Sequence, residues 1–485
     1  MRLPALLLAC CLLLPLGGAA ETALPEMGAP SQQVLSPRRA AAIGAEVYRR
    51  LRREGRLLED LPALRYLDHL GNALVAASDD PAGHFRFFLV RDRTLNAFAL
   101  PGGFIGVHLG LFEATEDESE LAAVLAHEIA HVTQHHLARA YAQASHLSIP
   151  TLAAVLAAVL VGTQNSEAGQ AILMGTQAGA LQRQINYTRS NEAEADHIGM
   201  RILQRAGFDP RGMPRFFGRL QRQSRLYGAG PPPLLRTHPV TTARIADALA
   251  RIPPDLDTRH LRRDSLRFQL VRARLQALHA PLEQADPERF RDGTGTGPAS
   301  PRVLAHRYGR ALALGRRKRF RPAIALLQAL ARRHPEQPLF AFDLARLQQQ
   351  AGDLEGARAT LRRGLQVQPG NVLLVLQSAR LDLEAGRARR AATRLAHRLE
   401  VGPRLGFATR QACLETLAHA YQAAGDRLRA HETLARRHEE AGELAAAIDQ
   451  LEQALRHART DTARGRIQAH LHDLRLRQHG GAAGE

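Results

Sequence analysis

The 485-residue chain carries 65 basic and 47 acidic side chains, a formal net charge of +18, with 45% hydrophobic and 23% charged residues. That composition excludes a disordered chain and a membrane bundle, and the length calls for two or three domains. Aromatics make up only 5% and tryptophan is absent, which argues against a nucleic-acid binder that stacks bases. Lys318 is the only lysine, and the arginines are spread along the chain without a long basic block. A coding bias explains this, although an arginine-rich surface also attracts anionic lipid head groups or acidic partners in peripheral contact.

Residues 1–20 read as a signal peptide: Met1-Arg2, an apolar run from Leu3 to Leu16, then Gly18-Ala19-Ala20 as a cleavage site. Acylation at Cys10 is the alternative. Cleavage removes Cys10 and Cys11 and leaves Cys413 alone. The mature chain must then be held by its cores, which suits export to a bacterial periplasm without disulfides. Cys413 is expected to be a buried small hydrophobe.

Apolar spacing predicts helices over Arg38–Arg53 and Leu61–Ser78. Three short β-branched or aromatic runs follow, Phe85–Val90, Leu95–Leu100 and Phe104–His108, broken by Pro101-Gly102-Gly103. A long helix is expected from Ser119 to Ala144, a second one from about Asn191, and a last one near Arg259–Leu278. The apolar segment Ile149–Gly162 is too short to span a bilayer. It reads as a buried helix or a flap over the site, with a surface-dipping segment as the alternative.

Residues 281–301, including DGTGTGPASP, have linker composition. Beyond them Pro335, Pro369 and Pro403 lie 34 residues apart, as do Ala311, Ala345 and Ala379, and Leu327, Leu361 and Leu395. This is the period of the tetratricopeptide repeat. Three regular repeats and one or two irregular ones are expected over 302–478, after a catalytic domain over 21–280.

Residues 127–131 read HEIAH inside an apolar-periodic helix. His127 and His131 fall one turn apart on one face, where both imidazoles can reach one cation. Glu128 can then take a proton from a metal-bound water. A third ligand must come from elsewhere. His135 lies a further turn along and curves away from a single ion, so it is expected to face solvent. The pair Glu192 and Asp196 in NEAEAD is one helical turn apart. Glu192 is the candidate third ligand, and Asp196 the acceptor that fixes the tautomer of a ligand histidine. A solvated helix start is the plain alternative for these acids.

HEIAHVTQHH, NEAEADHIG and THPVTTARI, preceded by LNAFALPGGFIGVHLGL, resemble the zinc metallopeptidase family containing HtpX, the CAAX prenyl proteases and the β-barrel assembly-enhancing (BepA-type) proteases. The motifs cover roughly residues 95–245. The signal peptide and the repeats match the assembly-enhancing type. The resemblance implies a mainly α, gluzincin-like peptidase domain with a small β-sheet, followed by a tetratricopeptide α-solenoid. It implies one Zn2+ per chain, held by His127, His131 and Glu192 with Glu128 as general base. It also implies that His238 sits on a loop over the site as a regulatory fourth ligand and, once displaced, a catalytic helper. Either Asn96–Leu100 or Phe104–His108 would be the edge strand that pairs with an extended substrate. Members of this type carry cysteine pairs that staple the repeats. The lone Cys413 departs from that pattern, so the linkage of the two domains is expected to rest on packing, with their orientation open.

These readings point to a periplasmic zinc endopeptidase, with chaperone activity, that handles unfolded or misassembled outer-membrane β-barrel proteins. The repeats would contact the β-barrel assembly machinery, and no nucleic acid is involved. The alternative is a latent chaperone or assembly scaffold that acts through the repeats.

Overall fold

The computed structural model describes residues 35–136, 156, 189–224, 234–235, 238–290 and 300–482. The signal peptide therefore lies outside the described residues, as does the run Ile149–Gly162 apart from Leu156, which is buried.

Helix α1 spans Pro37–Arg53 and α2 spans Leu61–Ala76, close to expectation. Both begin with a side-chain cap and a proline in the first turn, where a missing N–H costs nothing. The Ser36 hydroxyl accepts from the Arg39 amide and the Asp60 carboxylate from the Ala63 amide. Strands β1 (Arg86–Val90), β2 (Ala97–Leu100) and β3 (Phe104–His108) fall inside the three runs read from the sequence. They form one sheet in the order β1-β3-β2, with β1 parallel and β2 antiparallel to β3. Phe104–His108 is therefore the central strand and cannot be the docking edge, because both of its sides are already paired. Of the two candidates, only β2 lies at an edge of the sheet.

Helix α3 (Leu109–Ala114) leads to α4 (Glu118–Thr133), whose first amides are capped by Asp117. All of its residues from Glu118 to His131 are buried, as befits a helix surrounded by other elements. The expected continuation to Ala144 does not occur. Gln134 ends the helix and His135 adopts a left-handed φ of 53°, which turns the chain away. Among the described residues of this half, helices α5 (Arg189–Arg205), α6 (Gly212–Ser224), α7 (Thr242–Ala250) and α8 (Leu266–His279) follow. The last helix starts later than expected because Ser265 caps it, accepting from the Phe268 amide.

The repeats are helical hairpins: α9 (Pro301–Arg316) with α10 (Phe320–Arg333), α11 (Pro338–Gln350) with α12 (Leu354–Val367), and α13 (Val372–Glu384) with α14 (Ala388–Glu400). Two further pairs follow, α15 (Phe407–Ala423) with α16 (Arg427–Glu440) and α17 (Leu444–His457) with α18 (Asp461–Ala482). Gly352 and Gly386, one repeat apart, turn each hairpin with φ of 84° and 72°. At the same phase of the first hairpin, Lys318 takes φ 60°. Cys413 is fully buried, and burial pushes its thiol up to about 11, the inert hydrophobe expected.

The two halves share one core, a buried cluster that runs from Leu58 through Phe268 and Tyr308 to Leu381. Within it Arg274 of α8 is 3% exposed and sits between two carboxylates. Its Nε donates to both oxygens of Asp60 (2.8 and 2.9 Å), and its Nη1 donates to both oxygens of Asp343 (2.8 and 2.6 Å). Tyr308 of α9 donates to Asp343, and His279 Nε2 lies 3.1 Å from Asp60. Further along the array, at the start of α15, the ring of Phe407 lies under the Arg86 guanidinium, whose carbon is 3.6 Å from the ring centroid. The orientation that the linker left open is thus fixed by apolar packing, a buried charge knot and this stacking.

Removing one partner from a buried ion cluster leaves its counter-charges without compensation, at about 3–5 kcal/mol. Arg274→Met should lower the urea-unfolding free energy by that order, and a change below about 1 kcal/mol would show that the knot contributes little. Burial alone would raise the Asp60 carboxyl, but Arg274 and His279 outweigh it and hold it far below its ordinary value. Its contribution is then fully present above the unfolded value of about 4 and lost as pH falls below it. Between roughly pH 6 and pH 3, stability should fall less steeply in Asp60→Asn, which keeps a helix cap, than in the unaltered protein.

Candidate metal centre

Two helices bring the chemistry together. On α5, Glu192, Asp196 and Gly199 fall at i, i+4 and i+7, one face of the helix. At Gly199 the helix comes so close to α4 that a Cβ would lie 3.1 Å from the His127 backbone nitrogen. Glu192 and Asp196 are therefore driven in beside His127 and His131, and both are buried, at 3% and 4% exposure. The acids are not a solvated helix start.

The donors of His127, His131, Glu192 and His238 all lie within 4.8 Å of one another, and all four residues are buried. His127 Nε2 is 3.0 Å from His131 Nε2 and 3.6 Å from Glu192 Oε2. His131 Nε2 is 3.5 Å from Glu192 Oε1. His238 Nδ1 is 3.3 Å from His127 Nε2 and 3.0 Å from Glu192 Oε1. A tetrahedral ion bound at roughly 2.0–2.1 Å sets its donors about 3.3 Å apart, so the four residues fit one metal ion. Beside them Glu128 is fully buried, and neither carboxylate oxygen has a hydrogen-bond partner among the described residues. Its Oε1 lies 3.7 Å from His238 Nε2. A buried carboxylate in that position calls for a polar guest, and a metal-bound water meets that need. His135 is exposed, as expected, although the cause is the end of the helix rather than the curvature of a continuous one.

Residues 63–252 match the profile described as Peptidase family M48, and residues 316–370 match a tetratricopeptide repeat. The chain is 36% identical over 379 residues to the beta-barrel assembly-enhancing protease of Yersinia pestis, an alignment covering 78% of this chain and 77% of that protein. The chain belongs to peptidase family M48. The putative beta-barrel assembly-enhancing protease of Vibrio cholerae is 39% identical over 327 residues, 65% of each chain. More distantly, the mitochondrial metalloendopeptidase OMA1 of Schizosaccharomyces pombe is 30% identical over 184 residues, 38% of this chain and 51% of that protein. With its repeats, this M48 metallopeptidase is of the assembly-enhancing type.

Around the donors of this M48 centre, two residues that sequence reasoning passed over do much of the positioning. Arg244, six residues after His238, grips both oxygens of Asp196 (Nε to Oδ2 2.6 Å, Nη2 to Oδ1 2.8 Å) and lies 2.9 Å from Glu192 Oε2. It also donates to the Pro239 carbonyl at 2.7 Å, which ties the loop of His238 to the acids below. Asp196 Oδ1 lies 3.0 Å from His127 Nδ1. Burial opposes charge on His127, yet the Asp196 and Glu192 carboxylates outweigh it and raise its pKa to about 10. A carboxylate so placed makes the imidazole a stronger ligand and fixes which nitrogen faces the cluster.

His136 does the same for His131 at one remove. Its Nδ1 lies 2.7 Å from His131 Nδ1, and its Nε2 lies 3.0 Å from Glu194 Oε2. With His131 Nε2 facing the other donors, His131 Nδ1–H donates to His136, which in turn donates to Glu194. The signal was present in the second half of HEIAHVTQHH. It was legible only once the helix was known to end at Gln134, because a straight helix would carry His136 away. His136→Leu should weaken metal binding by about 10–100-fold in a chelator-competition titration. His136→Gln, which keeps an acceptor for His131, should retain most of the affinity. Equal losses in the two variants would reduce His136 to packing.

Proposed function

We propose that the chain is a zinc-dependent endopeptidase of the periplasm that acts in quality control and assembly of outer-membrane β-barrel proteins. The observation that carries the reading is the buried donor set His127, His131 and Glu192 with the Glu128 carboxylate beside it, which has no hydrogen-bond partner among the described residues. Two imidazoles and a carboxylate are a zinc-type donor set. Zinc, when bound, polarises the scissile carbonyl and lowers the pKa of its water. Glu128 takes that proton and passes it to the leaving amine. Asp196 and Arg244 hold the ligands in place, and β2 presents a sheet edge beside α4 on which an extended client can lie.

The substrate class and the periplasmic setting come from the relatives named for β-barrel assembly, together with the signal peptide read from residues 1–20. The repeats would hold clients or the assembly machinery, and chaperone activity would be the use of that surface without cleavage.

His238 favours a second reading. It stands inside the donor cluster as a fourth ligand, the position a catalytic site keeps for water. With His238 in place the enzyme is latent, and a permanently closed site would leave a scaffold. Casein hydrolysis by the mature protein separates the two. Activity in the unaltered protein or in His238→Ala should vanish in Glu128→Gln, by about a thousandfold or more. Higher activity in His238→Ala than in the unaltered protein establishes the latch. Zinc binding with no hydrolysis in any variant would sink the protease and leave the scaffold.

A further inference from the structure

Outside the donor cluster, the strongest feature is a cavity of about 310 Å3 at the far end of β2. Ala41 of α1, Ala99 and Leu100 of β2, and Gly102 of the hairpin turn line it, and its inner wall is His131, one of the metal-site histidines. Its size falls at the lower end of the roughly 300–1,000 Å3 of small-molecule pockets, enough for one or two side chains. The cavity is open because small residues surround it. Gly102 turns with φ 75° so close to α1 that a Cβ there would lie 2.5 Å from the Ala41 Cα, and neither residue has a side chain long enough to fill the space. The polar members Asp80, His84 and His135 are exposed at the mouth, and apart from His131 the rest of the described lining is apolar.

Two further observations fix what the cavity would receive. It shares His131 with the metal centre, and it abuts one end of β2, the strand at the edge of the sheet. A peptide laid along β2 in extended form points alternate side chains to one face of the sheet. We propose that this cavity is a substrate subsite that takes one bulky apolar side chain, Leu, Ile, Val, Phe or Met, from a residue close to the cleaved bond. The inference rests on β2 being the docking edge of the peptidase. It gives a sequence-blind main-chain contact a chemical preference. Amphipathic β-strands, whose apolar residues recur at every second position, would be cut and compact polar loops spared.

Two measurements test it. The first maps the casein bonds cut by the full-length protein and by Ala41→Phe, whose ring fills the cavity from an exposed position on α1. Apolar residues should be enriched at one fixed position near the cut, and Ala41→Phe should move that preference to Ala, Ser and Gly. For short Ser/Thr peptides carrying a single Leu, kcat/KM should fall about tenfold or more in Ala41→Phe, chiefly through KM, while the matching Ala peptide changes by less than about twofold. The second measures binding of the same labelled peptides to Glu128→Gln, where cleavage plays no part. The Leu and Phe peptides should bind about tenfold more tightly than the Ala, Asp or Lys peptides, and Ala41→Phe should erase the difference. No apolar preference in binding, or an equal loss for all peptides in Ala41→Phe, would overturn the subsite. An absence of hydrolysis by every form, with the binding preference intact, would count against the protease reading while leaving the cavity as a client site.

Discussion

The centre depends on two helices crossing almost at backbone contact. Gly199 lets α5 approach α4 at His127, and that approach turns Glu192 and Asp196 from surface acids into buried ones. Once they are inside, each carboxylate must be compensated, since an isolated buried charge is costly. The compensation available is His127, His238 and the Arg244 fork. The same two acids therefore collect the ligand histidine, the overlying histidine and the arginine that anchors its loop. A side chain at position 199 would meet the His127 backbone at 3.1 Å and oblige the two helices to shift.

Much of this could be read from the chain, because the motifs are local. HEIAH is one helical turn, NEAEAD is another, and the strand runs are separated by clear turn residues. The 34-residue period likewise records the hairpins, down to the glycines at their left-handed turns. What could not be read was set by tertiary contact. Three short runs give no hint of their order in a sheet, so the central strand and the edge could not be told apart until pairing was seen. The end of α4 at Gln134 was hidden for a similar reason. His135 is neither Gly nor Asn, the usual marks of a left-handed turn, and apolar spacing alone continues past it. Arg244 stood among many arginines in the chain, and nothing but its partners distinguishes it.

The join between the halves shows the same limit. The composition of residues 281–301 reads as a tether, and residues 291–299 lie outside the described residues. Yet Pro287–Phe290 forms a short 3-10 turn, and the Phe290 ring seats against Gly309 of the first repeat, where a Cβ would meet it at 2.5 Å. Asp60 likewise looked like an ordinary helix cap. It is one, but its carboxylate also receives Arg274, so a single short side chain starts α2 and holds the arginine that reaches across to Asp343 in the repeats.

Repeat arrays usually behave as strings of interchangeable units, each bonded only to its neighbours. Here that modularity is lost at one end. Residues of α9 to α13 belong to the same buried cluster as α2, α4 and α8, whereas α14 to α18 are served mainly by two separate smaller clusters. The near hairpins thus share their core with the peptidase half. The far ones have clusters of their own, but α15 still meets the peptidase half, where Phe407 lies under Arg86 and Leu61 packs against the neighbouring cluster. Modularity returns only near the end of the array, where the cluster of α16 to α18 contains no side chain of the peptidase half.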